Sequence, residues 1–212
     1  MEEDFSNIEA RKEKIKRLFK DPYKVGFAGI LLLGIALRIY YFILTNGQPV
    51  WWDESDYLAY AKNLAGLGST WIITIHHASL FPYVLALLFK IGLSETIIKF
   101  LIAFIPSVLL IPLIYLIVRE MYEDKRIALI AAFLMATLWE VLFWSMRFHL
   151  EVPGLLTGFL AIYIFIKGYE KKERLFSIPP QWSMLAVVLL AVLTYSIRRG
   201  FFVFGVAIGV YL

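Results

Sequence analysis

Long apolar runs alternate with short charged or aromatic stretches along most of this chain, and run length decides what each can form. Val25 to Leu44 is apolar apart from Arg38 and, as a helix, reaches about 30 Å, the thickness of a bilayer's hydrocarbon core. Runs at residues 97–118, 127–145, 152–167 and 183–197 predict four further spans. A last run opens at Phe201 and reaches Leu212 after about 12 residues, too few to cross. Residues 79–92 make only about 21 Å of helix, so they are expected to return to the side they came from. Between Asp53 and Leu67, apolar or aromatic Tyr57, Leu58, Ala61, Leu64 and Ala65 interleave with Asp, Lys and Asn, which predicts an interfacial helix ended by Gly66 and Gly68. The expected fold is all-α, a polytopic transmembrane helix bundle with interfacial helices in the first outer loop. Residues 1–24 read as a basic amphipathic segment on cytoplasmic headgroups, and 25–212 as one membrane module whose sixth span is incomplete.

Composition supports the membrane reading. With 60% hydrophobic and 18% charged residues and a mean hydropathy of +0.73, the chain has more apolar surface than one soluble core of this size can hide. The absence of cysteine excludes disulfides, thiolate metal sites and Cys nucleophiles. A net charge of +4 does not point to nucleic acid, because Lys and Arg cluster beside the spans. If 79–92 does not cross, the N-terminal segment, Arg119 to Arg126 and Lys167 to Arg174 place fourteen basic residues on one side against six on the other. This predicts an integral multi-pass protein with a cytoplasmic N-terminus. It also puts the loop around Asp53, His76-His77, Arg147 to Glu151 and Arg198-Arg199 together on the opposite face.

That face carries the candidate chemistry. Asp53-Glu54-Ser55-Asp56, behind Trp51-Trp52, can supply a general base or a hard-cation site; its plain alternative is a capped helix with Asp53 as N-cap. His77 can meet a phosphate, a metal or an acceptor, or be only a solvated imidazole. Arg38, inside the first span, implies a partner, a cavity or snorkelling to the interface. Arg147 and Glu151 bracket a short polar loop that joins a cation to a carboxylate, with Glu140 deeper in the same run. Arg198-Arg199 suit a lipid-linked phosphate or headgroup anchoring. No Gly-rich phosphate loop follows a strand-like run.

Taken in order, these pieces resemble a family of membrane glycosyltransferases in the GT-C superfamily, that of the protein O-mannosyltransferases and the lipid A aminoarabinose transferases. The resemblance lies in Ala36-Leu37-Arg38, Trp52-Asp53-Glu54-Ser55-Asp56-Tyr57, the segment from His77 to Lys90 with Ala78 and Ser79 in place of two prolines, Ser145-Met146-Arg147 to Glu151, and Thr194 to Gly200. It implies sugar transfer from a polyprenyl- or dolichyl-phosphate donor to an acceptor on the non-cytoplasmic face, with inversion. Under it Asp53 is the general base, supported by Glu54. Arg38, His77, Arg147, Glu151, Arg198 and Arg199 serve the substrates. A divalent metal ion, if used, would sit at Asp53 and Glu151. Two other readings stay open: a catalytically incomplete scaffold or accessory subunit, and a lipid or solute transporter.

Overall fold

The computed structural model describes residues 21–68, 80–175 and 178–211. Residues 1–20 of the expected basic segment and the His76-His77 pair lie outside them, and the segment's last residues, Asp21 to Lys24, belong to the start of the first helix instead. Helix α1 (Pro22–Thr45) starts where Asp21 accepts a hydrogen bond from the Tyr23 N–H at 3.0 Å and Pro22 occupies the first turn, which lacks N–H partners in any case. Helices α2 (Asp53–Ala65) and α3 (Phe81–Lys90) follow; α2 ends at Gly66, whose φ of 78° closes the helix in the left-handed region. Next come α4 (Glu95–Tyr122), α5 (Lys125–Thr137), α6 (Trp139–Trp144), α7 (Glu151–Glu170), α8 (Pro180–Ile197) and α9 (Arg199–Tyr211). Helices α1, α4, α7 and α8 are long and apolar enough to cross a membrane, and the architecture is an all-α polytopic bundle.

One expected span differs. Residues 127–145 read as a single helix, but the structure breaks it at Leu138, whose φ of −59° and ψ of 122° are extended. Thirteen residues of α5 reach only about 20 Å, so the crossing needs α5 and α6 in tandem. Helix α4 is irregular too: its backbone widens to a π turn over Phe100–Phe104, just before Pro106, which has no N–H to return to the preceding turn.

Packing between α1, α4 and α5 depends on small side chains. Ala128, Ala132 and Ala136, four residues apart on α5, are fully buried. A Cβ on Gly34 of α1 would lie 2.4 Å from Ile111 and 3.1 Å from Ala136, so only glycine allows these helices to approach so closely. On α7, Gly158 gives its space to the ring of Phe204 in α9, which a Cβ would meet at 2.6 Å.

The bundle's two ends are marked by polar contacts. At one end Lys125 pairs with Asp21 at 3.6 Å, Arg126 donates to the Tyr23 hydroxyl at 3.2 Å, and Lys171 pairs with Glu120 at 2.8 Å. At the other, α2 and α3 lie across the helix ends, with Tyr57, Leu58, Phe81 and Leu85 buried against Ile98, Phe148 and Ile197. The Leu80 N–H donates to the Ser196 carbonyl at 2.9 Å, which fixes the start of α3 at this end, and its ten residues make only about 15 Å of helix, too short to cross alone.

Candidate functional site

The α2 end gathers charged residues from three distant stretches of chain. Glu54, in the first turn of α2 where an acidic side chain favours the helix dipole, is 2% exposed. Its carboxylate accepts from the Phe148 N–H at 2.9 Å and from the Arg147 guanidinium at 3.3 Å. Arg147 also donates to Gln48 at 3.1 Å and lies over the rings of Trp51 (5.0 Å) and Phe143 (5.5 Å). Beside this pair runs a cleft of about 220 Å³ whose walls include Tyr41, Leu44, Gln48, Phe143 and Met146. Apolar walls ending at a guanidinium suit a ligand with a greasy chain and an anionic head.

Next to it stands a second group. Glu151 opens α7, and its carboxylate meets both the His149 imidazole and the Arg198 guanidinium. His149 packs against Trp144, ring centroids 4.2 Å apart, and edge-on to Tyr57 at 6.2 Å. Tyr57, on α2, thus touches the second group through His149. Burial pushes its hydroxyl up to about 12; Asp53 adds to the rise, Arg198 opposes it, and Asp56 adds a smaller part.

Asp53 is half-buried and is the first residue of α2, not its cap as the sequence suggested. The N-cap is Trp52, held at φ 53° and ψ −141°, a strained setting for a large side chain. The Ser55 hydroxyl donates to the Trp52 carbonyl at 2.6 Å, which helps hold that turn. The Asp53 carboxylate is thereby free of capping and leaves Glu54 as the residue that ties the loops together.

Sequence reasoning gathered Asp53, Glu54, Arg147, Glu151 and Arg198, and the structure brings them to one end. Arg199 is exposed beside Arg198, Glu140 is exposed on α6, and His77 lies outside the described residues. Arg38 is elsewhere, 0% exposed inside the bundle, its guanidinium taken up by Ser107 and the carbonyls of Gly34, Met135 and Ala136. Two members of the cluster went unread. Lys99 is 6% exposed with its ammonium 5.2 Å from the centre of the Phe148 ring, and Gln48 anchors Arg147. The spacing of Glu95 and Lys99 suggests a surface pair, but Glu95 bonds Lys62 at 2.6 Å instead.

A metal at Asp53 and Glu151 has little to bind it. Glu151 is already held by His149 and Arg198, and among the described residues no three His, Cys, Asp or Glu side chains gather to hold an ion. This donor set does not fit a divalent cation.

The family model described as dolichyl-phosphate-mannose-protein mannosyltransferase matches residues 76–212. The match includes Lys99, Arg147, Glu151 and Arg198 and begins after Asp53 and Glu54. No curated protein and no solved structure matches the chain.

Proposed function

The chain belongs to the dolichyl-phosphate-mannose-protein mannosyltransferase family, and on that premise we propose that the α2 end of the bundle transfers a mannosyl-type sugar from a lipid-phosphate donor to an acceptor hydroxyl. This end then faces away from the cytoplasm, an orientation that the distribution of basic residues supports. Asp53 takes the proton of the acceptor hydroxyl as its oxygen attacks the anomeric carbon. The bond from that carbon to the phosphate oxygen breaks, and the lipid phosphate leaves with the electron pair. Attack opposite the leaving group inverts the anomeric centre.

Arg198, with Arg199 beside it, meets the charge that builds on the phosphate. Glu151 orients Arg198, and Glu54 fixes the second outer loop through Arg147 and Phe148. The observation that supports this reading is the chain of contacts at the α2 end, where Tyr57, one turn from Asp53, packs on His149, His149 meets Glu151, and Glu151 meets Arg198.

Asp53→Asn tests it, because the side chain keeps its shape, makes no cap to lose, and can no longer accept a proton. The chain, reconstituted in liposomes with radiolabelled dolichyl-phosphate mannose and a Ser/Thr peptide, should lose transfer by about 100-fold or more, the scale for loss of a general base. Transfer by Asp53→Asn at the wild-type rate would overturn the assignment.

A further inference from the structure

Residues 127–145 are one largely apolar run in sequence but fall in two helices in space, although neither Pro nor Gly interrupts them. The break comes at Leu138: its N–H closes the last bond to Leu134, and its own carbonyl accepts from Leu142, so a new helix has begun. In a continuous helix the N–H groups of Trp139 and Glu140 would bond the carbonyls of Met135 and Ala136. Those two carbonyls instead accept from Arg38, at 3.2 and 3.0 Å. The guanidinium thus stands in for two missing backbone donors at the negative end of α5.

Arg38 reaches a second irregularity as well. Its Nε donates to Ser107 Oγ at 2.9 Å, and that hydroxyl donates to the Phe104 carbonyl at 2.7 Å, the last residue of the π turn in α4. The two distortions flank the functional cluster. The π turn follows directly on Lys99, and α6 carries Phe143 and leads to Arg147. Among the described residues no carboxylate lies within ion-pair distance of Arg38, so carbonyls and a hydroxyl alone hold this buried cation.

We propose that Arg38 is a positioning residue for the transfer reaction: by holding the break at Leu138 open, it turns α6 so that Arg147 meets Glu54 and Gln48. This rests on the transferase reading for its effect on rate, though not for its effect on the helix. Trp139→Pro separates the two. Leu138 already has the extended backbone that precedes proline, and Trp139 is the first residue of α6, where proline is favoured and the N–H is not needed. Proline there is compatible with the break and incompatible with a continuous helix.

Spin labels at Ile127 and Glu140, both exposed in this Cys-free chain, report the helix, and mannosyl transfer in liposomes reports the site. Arg38→Met should bring the labels to the about 20 Å separation of a straight helix. Transfer should fall with it, by about 10- to 100-fold, the cost of misplacing a catalytic group by about 1 Å. Arg38→Met combined with Trp139→Pro should recover the wild-type label distance and most of the transfer. Arg38→Lys, which keeps the cation with fewer donors, should fall between wild type and Arg38→Met in both readouts, and it serves if the methionine variant does not insert. Wild-type label distance and transfer in Arg38→Met would overturn the proposal. So would a double variant that recovers the distance without the transfer while Trp139→Pro alone, which removes an indole from the cleft wall, still transfers at the wild-type rate, since Arg38 would then act on the substrate itself. Absence of transfer by the wild-type chain would refute the transferase reading alone, because the label distances are read without substrate.

Discussion

Removing the Glu54 carboxylate tests whether the outer loops are held by one buried ion pair. Glu54 and Arg147 side chains are 3% and 11% exposed, so solvent screens their attraction little. Glu54→Ala leaves the buried Phe148 N–H without its acceptor, at about 1–3 kcal/mol, and strands Arg147 without its carboxylate. The two losses share one carboxylate and overlap, so the expected destabilisation is about 3–5 kcal/mol, the range for breaking one partner of a buried pair. Glu54→Gln keeps an oxygen for Phe148 but gives up the charge-assisted bond, so about 2 kcal/mol is expected. Unfolding by SDS in mixed micelles, followed by tryptophan fluorescence, gives both values. A cycle with Arg147→Met isolates the pair, and its coupling energy should fall in the range of about 1–3 kcal/mol. Refutation would be Glu54→Ala within about 0.5 kcal/mol of wild type, the range of surface substitutions far from any such network.

Two further outcomes follow from the geometry. Gly158→Ala forces the Phe204 ring away from a Cβ that would otherwise lie at 2.6 Å, so the same SDS titration should show a loss of about 1–3 kcal/mol, the cost of overpacking. In an absorbance titration at alkaline pH, Tyr57 should ionise at about 12, and Tyr57→Phe should delete that step. The folded value exceeds the unfolded one of about 10, so the stability from neutral Tyr57 is complete below that pH and is lost as pH rises through about 12; Tyr57→Phe should unfold less steeply above pH 10.

Much of this architecture is legible from lengths and spacings. The first span, the interfacial α2 stopped by Gly66 and the non-crossing α3 all follow from how many apolar residues stand in a row. The break at Leu138 does not, because no local residue demands it and its donors come from Arg38, 98 residues away in the chain at Ala136. The pairing of Glu54 with Arg147 spans 93 residues, and a list of charges cannot say which cation each carboxylate meets. The plain alternative for Asp53, a cap, fits its spacing to Asp56, but the preceding Trp52 takes that place through a positive φ that no pattern of side chains announces. Lys99 escaped notice because a lysine near a span's end ordinarily snorkels, and its enclosure depends on Glu95 turning to Lys62.

The setting of Arg38 also bears on how the chain is made. Its hydroxyl partner lies 69 residues further along and its carbonyl partner at Ala136 98 residues further, so α1 enters the bilayer before either exists. At a synthesis rate of about 5–20 residues per second, the guanidinium waits roughly 5–20 s for α5 to arrive. Through that interval an arginine within the span costs about 2.5–3.5 kcal/mol, offset only by neighbours worth about 0.3–0.6 kcal/mol each, such as Leu31, Leu32, Leu33 and Ile43. Insertion of the first helix is therefore finished by the fifth, and a ribosome stalled before residue 135 leaves Arg38 with Gly34 and Ser107 but without the α5 carbonyls that take up the rest of its guanidinium.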